Sequence, residues 1–135
     1  MGRFEEDRVY RDTYRHTSAH IMAHAVKRLF PDVKLAIGPA IENGFYYDFD
    51  RDQPFDTEDL RQIEAEMTKI VRERLPIERF ELSRGEALRL MEERREPYKT
   101  ELIRDLPEDA VLSFYRQGDF VDLCAGPHLE NTGEV

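Results

Sequence analysis

Residues 16–50 read HTSAHIMAHAVKRLFPDVKLAIGPAIENGFYYDFD, and this stretch decides the fold. Its first half has helical character. Ala19, Ala23 and Ala25 favour helix, and Ile21, Ala25, Val26 and Leu29 recur near the 3.6-residue period. The pattern predicts a helix over 12–30, with Asp12 or Thr13 as its cap and Pro31 beyond its end. The second half changes period. Residues 33–37 (VKLAI) read as a strand closed by Gly38-Pro39, and Glu42-Asn43-Gly44 as a hairpin turn. Residues 45–50 (FYYDFD) read as the returning strand, rich in aromatics that suit a half-buried sheet.

Outward from there, helices and strands keep mixing. Asp56 or Thr57 opens a helix to about Arg74, with Leu60, Ile63, Met67, Ile70 and Val71 on one face and charge elsewhere. Pro76 ends it, and 77–82 (IERFEL) is a strand. Ser83-Arg84-Gly85-Glu86 is a capping box for a third helix to about Arg94, and Pro97 starts a short fourth one carrying Tyr98, Lys99, Leu102 and Ile103. Residues 111–115 and 119–124 form a hairpin about Gln117-Gly118, and the closing LENTGEV reads as loop. There is no internal repeat and no βαβ regularity. The fold class is therefore α+β: one domain, an antiparallel sheet with helices packed on one face.

Composition narrows the setting. The chain has 135 residues, 40% hydrophobic and 36% charged, with a net charge of −9. No apolar run approaches the roughly 20 residues that span a membrane, and MGRFEEDRVY has no signal-peptide core. A single cysteine cannot close an internal disulfide, so the expected location is cytoplasmic. The acidic balance argues against tight non-specific nucleic-acid binding by this domain alone, since phosphate neutralisation dominates such affinity. It leaves open action on a nucleic-acid end that other domains hold. Gly38, Gly44, Gly85, Gly118, Gly126 and Gly133 are isolated turn residues, so no phosphate-cradling loop is present.

Two motifs carry chemistry. His16 and His20 lie four residues apart, one helical turn, so their imidazoles share a face; His24 lies one turn further. Cys124 and His128 repeat the spacing near the other end. If the fold joins them, His16, His20, Cys124 and His128 make a donor set that suits zinc. The plainer alternative is two core histidines and a buried thiol acting as a small hydrophobe. A second chemistry needs no metal: a neutral imidazole takes a proton from water, and an ammonium, with Lys99 as candidate, stabilises the developing anion. For Lys99 the plainer alternative is an ordinary solvated lysine. Asp122 shares a strand face with Cys124 and could hold a substrate ammonium, or be a surface aspartate. One of Tyr46 and Tyr47 should face a pocket on the sheet. A Cys124–His nucleophile ranks third, because no protease signature flanks it.

The blocks HTSAHIMAHAVKRLFPDVKLAIGPAIENGFYYDFD, EPYKTELI and DFVDLCAGPHL, from His16 to Leu129, closely resemble the editing domain of bacterial threonyl-tRNA synthetases. HxxxH with CxxxH alone is shared with alanyl-tRNA editing domains; IGPAIENGFYYDFD and DLCAGPHL point to the threonyl branch. The resemblance implies proofreading hydrolysis of seryl-tRNA(Thr), with the 3′ end of tRNA(Thr) carrying serine and the other synthetase domains as partners. By position it carries catalysis to His16, His20, Lys99, Cys124 and His128, and substrate binding to Tyr47 and Asp122. It implies water activation by His16 and Lys99, and the preferred reading is metal-free. The alternatives are a zinc-dependent alanyl-tRNA-type deacylase using His16, His20, Cys124 and His128, or a non-catalytic metal or amino-acid binding module. The resemblance also implies that residues 1–11 link to a missing domain and that the editing domain, here 1–135, is shortened at its C-terminal side. His16→Ala and Lys99→Ala should slow deacylation and leave folding intact.

Overall fold

Asp7 opens the first helix, five residues before the first of the expected caps. The computed structural model describes residues 7–36, 40–41, 44–45, 47, 49–51, 53–124 and 127–135, the side chains of 40–41 and 44–45 excepted. Helix α1 runs Arg8–Leu29, and the Asp7 carboxylate accepts the Tyr10 N–H at 3.1 Å. Thr13, one of the two expected caps, instead donates its hydroxyl to the Val9 carbonyl at 2.8 Å, as a threonine inside a helix does. Nothing in residues 8–12 breaks a helix, so the earlier aspartate captures the start. The helix stops before Pro31, with the Phe30 N–H on the Val26 carbonyl.

The predicted strand and its return appear as two short antiparallel ribbons. Strand β1 (Lys34–Leu35) pairs with β4 (Phe49–Asp50), and β2 (Ala40–Ile41) pairs with β3 (Gly44–Phe45). Val33 falls outside β1 because its N–H closes a turn on the Phe30 carbonyl and its own carbonyl accepts the Lys27 ammonium. Gly38-Pro39, Glu42-Asn43 and Tyr46 lie outside the described residues.

Helix α2 (Thr57–Glu73) starts at a reciprocal cap between Asp56 and Asp59 and ends at Arg74, which adopts the left-handed conformation. Ile63 and Ile70 bury against Ile21, Ala25 and Val26 of α1, with Met67 and Val71 packed alongside. Leu60 departs from the expected buried face and is 56% exposed. Strand β5 (Glu78–Ser83) leads through the Ser83–Glu86 capping box into α3 (Arg84–Glu93), then α4 (Pro97–Arg104). Strands β6 (Val111–Gln117) and β7 (Phe120–Leu123) turn at Gly118, whose φ of 58° suits glycine.

The three-stranded antiparallel sheet has the order β5-β6-β7. Its two faces do different work. Leu112, Phe114 and Val121 point one way and pack with Ala87, Met91 and Ile103 of α3 and α4. The alternate residues Ser113, Tyr115, Gln117, Phe120 and Asp122 point the other way. Phe120 there joins Ala19 and Ala23 of α1, Leu35 and Tyr47 in a separate core. The α+β class and the antiparallel pairing are as the sequence predicts, and α1 adds a helix across the second face. Residues 129–135 are not loose. The backbones of Pro76 and Asn131 pair, Thr132–Glu134 forms a 3₁₀ turn, and the buried Thr132 hydroxyl donates to the Ile70 carbonyl while accepting the Leu75 N–H. The seven-residue stretch has no periodicity because it is anchored by hydrogen bonds rather than by an apolar face. No described helix is long and apolar enough to cross a membrane.

Candidate active site

The second sheet face and α1 enclose the polar cluster. Helix α1 presents His16, Thr17 and His20. The end of β7 presents Asp122 and Cys124, and the segment after it presents His128. The Cys124 Sγ lies 3.2 Å from His16 Nε2 and 3.3 Å from His128 Nε2. The His128 ring stacks on His16 and lies against His20, each with centroids 4.3 Å apart, and Tyr115 closes its edge. Beside them is a buried charged group. Asp122, 2% exposed, takes the Tyr47 hydroxyl on Oδ2 at 2.7 Å and has His20 Nε2 at 3.4 Å from the same oxygen. The Lys99 ammonium, from α4, is 3.2 Å from Asp122 Oδ1 and sits over the Tyr47 ring. That contact is an ion pair, since Oδ1 receives no bond of hydrogen-bonding geometry.

All seven residues singled out in the sequence therefore meet: His16, His20, Tyr47, Lys99, Asp122, Cys124 and His128. The solvated reading of Lys99 and the surface reading of Asp122 are corrected. Lys99 is 5% exposed because α4 begins at a buried Glu96 that ties it to α1 and β1. Glu96 accepts the Leu35 N–H and faces the Lys27 ammonium at 3.6 Å. Sequence reasoning missed Glu96, Thr17 and Ser113, whose hydroxyl donates to the Cys124 carbonyl at 2.7 Å. Glu96 had a faint signal, an acidic residue just before the Pro97 helix start; Thr17 had only its place between two histidines.

Burial dominates the electrostatics. It lowers the pKa of His16, while the Pro127 carbonyl and Asp122 partly oppose it. It lowers that of His20 well below the ordinary range, and the neighbouring His16 and Lys99 push the same way. His20 is thus neutral and its contact with Asp122 is not an ion pair, since Lys99 already balances that carboxylate. His128 is lowered to about 2, by burial and then by His20 and His16. His24, buried and stacked on Phe120, is lowered to about 4, by burial and then by Arg28. Burial also raises the Tyr47 phenol, which stays a donor to Asp122.

These shifts have one sign. A histidine neutral when folded but protonated when unfolded adds stability that is full above its ordinary pKa of 6.5 and lost as pH falls. The loss for His24 runs from about 6.5 to about 4, at up to about 1.4 kcal/mol per pH unit. The other three rings act in the same direction, while Glu96, raised by burial, opposes them. Urea midpoints should therefore fall clearly between pH 7 and pH 5; a flat profile would mean these rings titrate normally.

The donor set fits zinc chemically: one ligand atom from each of His16, His20, Cys124 and His128 lies within 4.8 Å of the others. Cys124→Ser should keep both imidazole contacts and cost about 1 kcal/mol, read from the denaturation midpoint. A collapse would show that packing at sulfur holds the site.

Comparison with known proteins follows the same residues. Residues 112–135, which carry Asp122, Cys124 and His128, match the family described as the threonyl and alanyl tRNA synthetase second additional domain. Over 130 residues, 96% of the chain, it is 68% identical to the threonine–tRNA ligase of Acetivibrio thermocellus. Over the same share it is 65% identical to that of Clostridium tetani and 64% to that of Carboxydothermus hydrogenoformans. The chain spans 20% of the length of each of these relatives. The resemblance read from the sequence is upheld.

Proposed function

Starting from the similarity to threonine–tRNA ligases along 96% of the chain, we propose that this domain proofreads tRNA(Thr) by hydrolysing its seryl ester. The observation that supports this most is the meeting of an imidazole–thiol cluster with a buried Lys99–Asp122 pair, which puts a base and a charged pair side by side. Neutral His16 accepts a proton from water as its oxygen attacks the seryl carbonyl carbon. The ester bond breaks, and His16 returns the proton to the departing ribose oxygen. The Lys99 ammonium stabilises the developing oxyanion. The Asp122 carboxylate, held by Tyr47 on Oδ2 and shared with Lys99 on Oδ1, receives the seryl ammonium. A binding pocket separates serine from threonine by one methyl, about 1–3 kcal/mol, which is why a second sieve is useful. The partners are the 3′ end of tRNA(Thr) carrying serine and the other domains of a cytoplasmic synthetase. An acidic domain suits delivery of the substrate by basic neighbours.

The cluster of four ligand atoms favours a second reading, a zinc-dependent deacylase. There His16, His20, Cys124 and His128 would hold the ion, which supplies Lewis acidity to a water. One assay separates the two: deacylation of seryl-, threonyl- and alanyl-tRNA with and without a chelator. Cleavage of seryl-tRNA(Thr) that survives chelation supports the metal-free reading. Loss on chelation, or preference for the alanyl ester, supports zinc. No cleavage of any ester rejects both.

A further inference from the structure

Thr17 sits between the two histidines of the first motif, fully buried, and its hydroxyl joins α1 to the segment carrying His128. Its Oγ1 accepts the Leu129 N–H at 3.0 Å and lies 3.0 Å from His128 Nδ1. The Leu129 N–H takes one of the two lone pairs of Oγ1, and among the described contacts only His128 Nδ1 can accept the hydroxyl proton. We infer that Thr17 is a positioning residue that fixes the tautomer and orientation of His128, placing the ring proton on Nε2 toward Cys124. The inference rests on the proofreading reading only for its effect on rate.

The consequence is directional. With Nδ1 engaged, His128 presents Nε2–H to the Cys124 Sγ 3.3 Å away and acts as a donor there, not as a base. The same Sγ lies 3.2 Å from His16 Nε2, which accepts there the thiol proton that His128 does not. The two stacked rings, alike in type, thus take opposite parts. Thr17 keeps them apart in role by one hydroxyl, as groups that orient a catalytic or ligating histidine do. Zinc ligation through His128 Nε2 requires the reverse sense, with Nδ1–H donating to Thr17.

Histidine ¹⁵N labelling of this chain reads the tautomer directly. Unaltered protein should show His128 protonated on Nε2, with Nδ1 an acceptor. Thr17→Val, of the same shape, should lose that single state, and Thr17→Ser should regain it. Seryl-tRNA(Thr) cleavage should drop about 10–100-fold in Thr17→Val and recover in Thr17→Ser. A proton on Nδ1 in the unaltered protein, or an unchanged His128 in Thr17→Val, overturns the assignment. If Thr17→Val does not fold, the unaltered protein and Thr17→Ser still decide it. If the tautomer is as stated but no seryl ester is cleaved, the proposed function fails and the role of Thr17 stands.

Discussion

Asp122→Asn should unfold at a much lower urea concentration than the unaltered protein, with a loss of about 3–5 kcal/mol. The reason is the ammonium it leaves behind. Lys99 is 5% exposed, and its one ion-pair partner among the described residues is Asp122. An amide keeps an acceptor for the Tyr47 hydroxyl but no charge for Lys99. A buried cation without a counter-charge is far more costly than a pair that is absent altogether. The double variant Lys99→Met, Asp122→Asn should therefore recover most of the loss, and the coupling between the two sites should be large. Denaturant slopes should stay constant, so that midpoints report stability. Equal midpoints for Asp122→Asn and the unaltered protein would mean the pair contributes nothing to folding. The same argument revises the expectation that Lys99→Ala leaves folding intact: it strands the Asp122 carboxylate, and its effect on rate must be read below its own unfolding transition.

The second large effect is on catalysis. His16→Ala should slow seryl-tRNA(Thr) cleavage by about 10²–10⁴-fold, the range for losing a positioned base, while stability changes by only about 1 kcal/mol. His16 is the better test of mechanism because it is half-buried and carries no charge when folded. Its lowered pKa also fixes the pH profile. The base is already neutral at pH 7, so the rate should be flat there and fall only below the ordinary histidine range. A His16→Ala variant with the original rate and profile would move the base elsewhere.

Much of this site could be read from the sequence because its residues are of types whose chemistry limits what they do. Two histidines one turn apart share a helix face wherever that helix packs, and the alternation of β7 puts Asp122 and Cys124 on one side. The helix starts at Asp56 and Ser83 were equally legible, since capping is local. The start of α1 was not, because either Asp7 or Asp12 can cap a helix, and the apolar period that marks the helix begins well after both. Nor were the burial of Lys99, which the family resemblance alone put at the site, and the role of Thr17. Burial of a lysine depends on a carboxylate 23 residues away in sequence, and a threonine inside a helix gives no sign that its hydroxyl serves a residue 111 positions on. The shortness of β1 and β4 was hidden for a similar reason: the aromatic run predicts extended chain, while pairing depends on what lies opposite.

Thr132 has a reach beyond its own turn. By tying the stretch after His128 to the last carbonyls of α2, it makes the breathing of that imidazole a property of α2 rather than of neighbouring backbone. Amide protons of Leu75, Ile77 and Thr132 should then exchange with solvent as one cooperative unit. Fraying at the end of that helix would be felt as slackness in the histidine cluster.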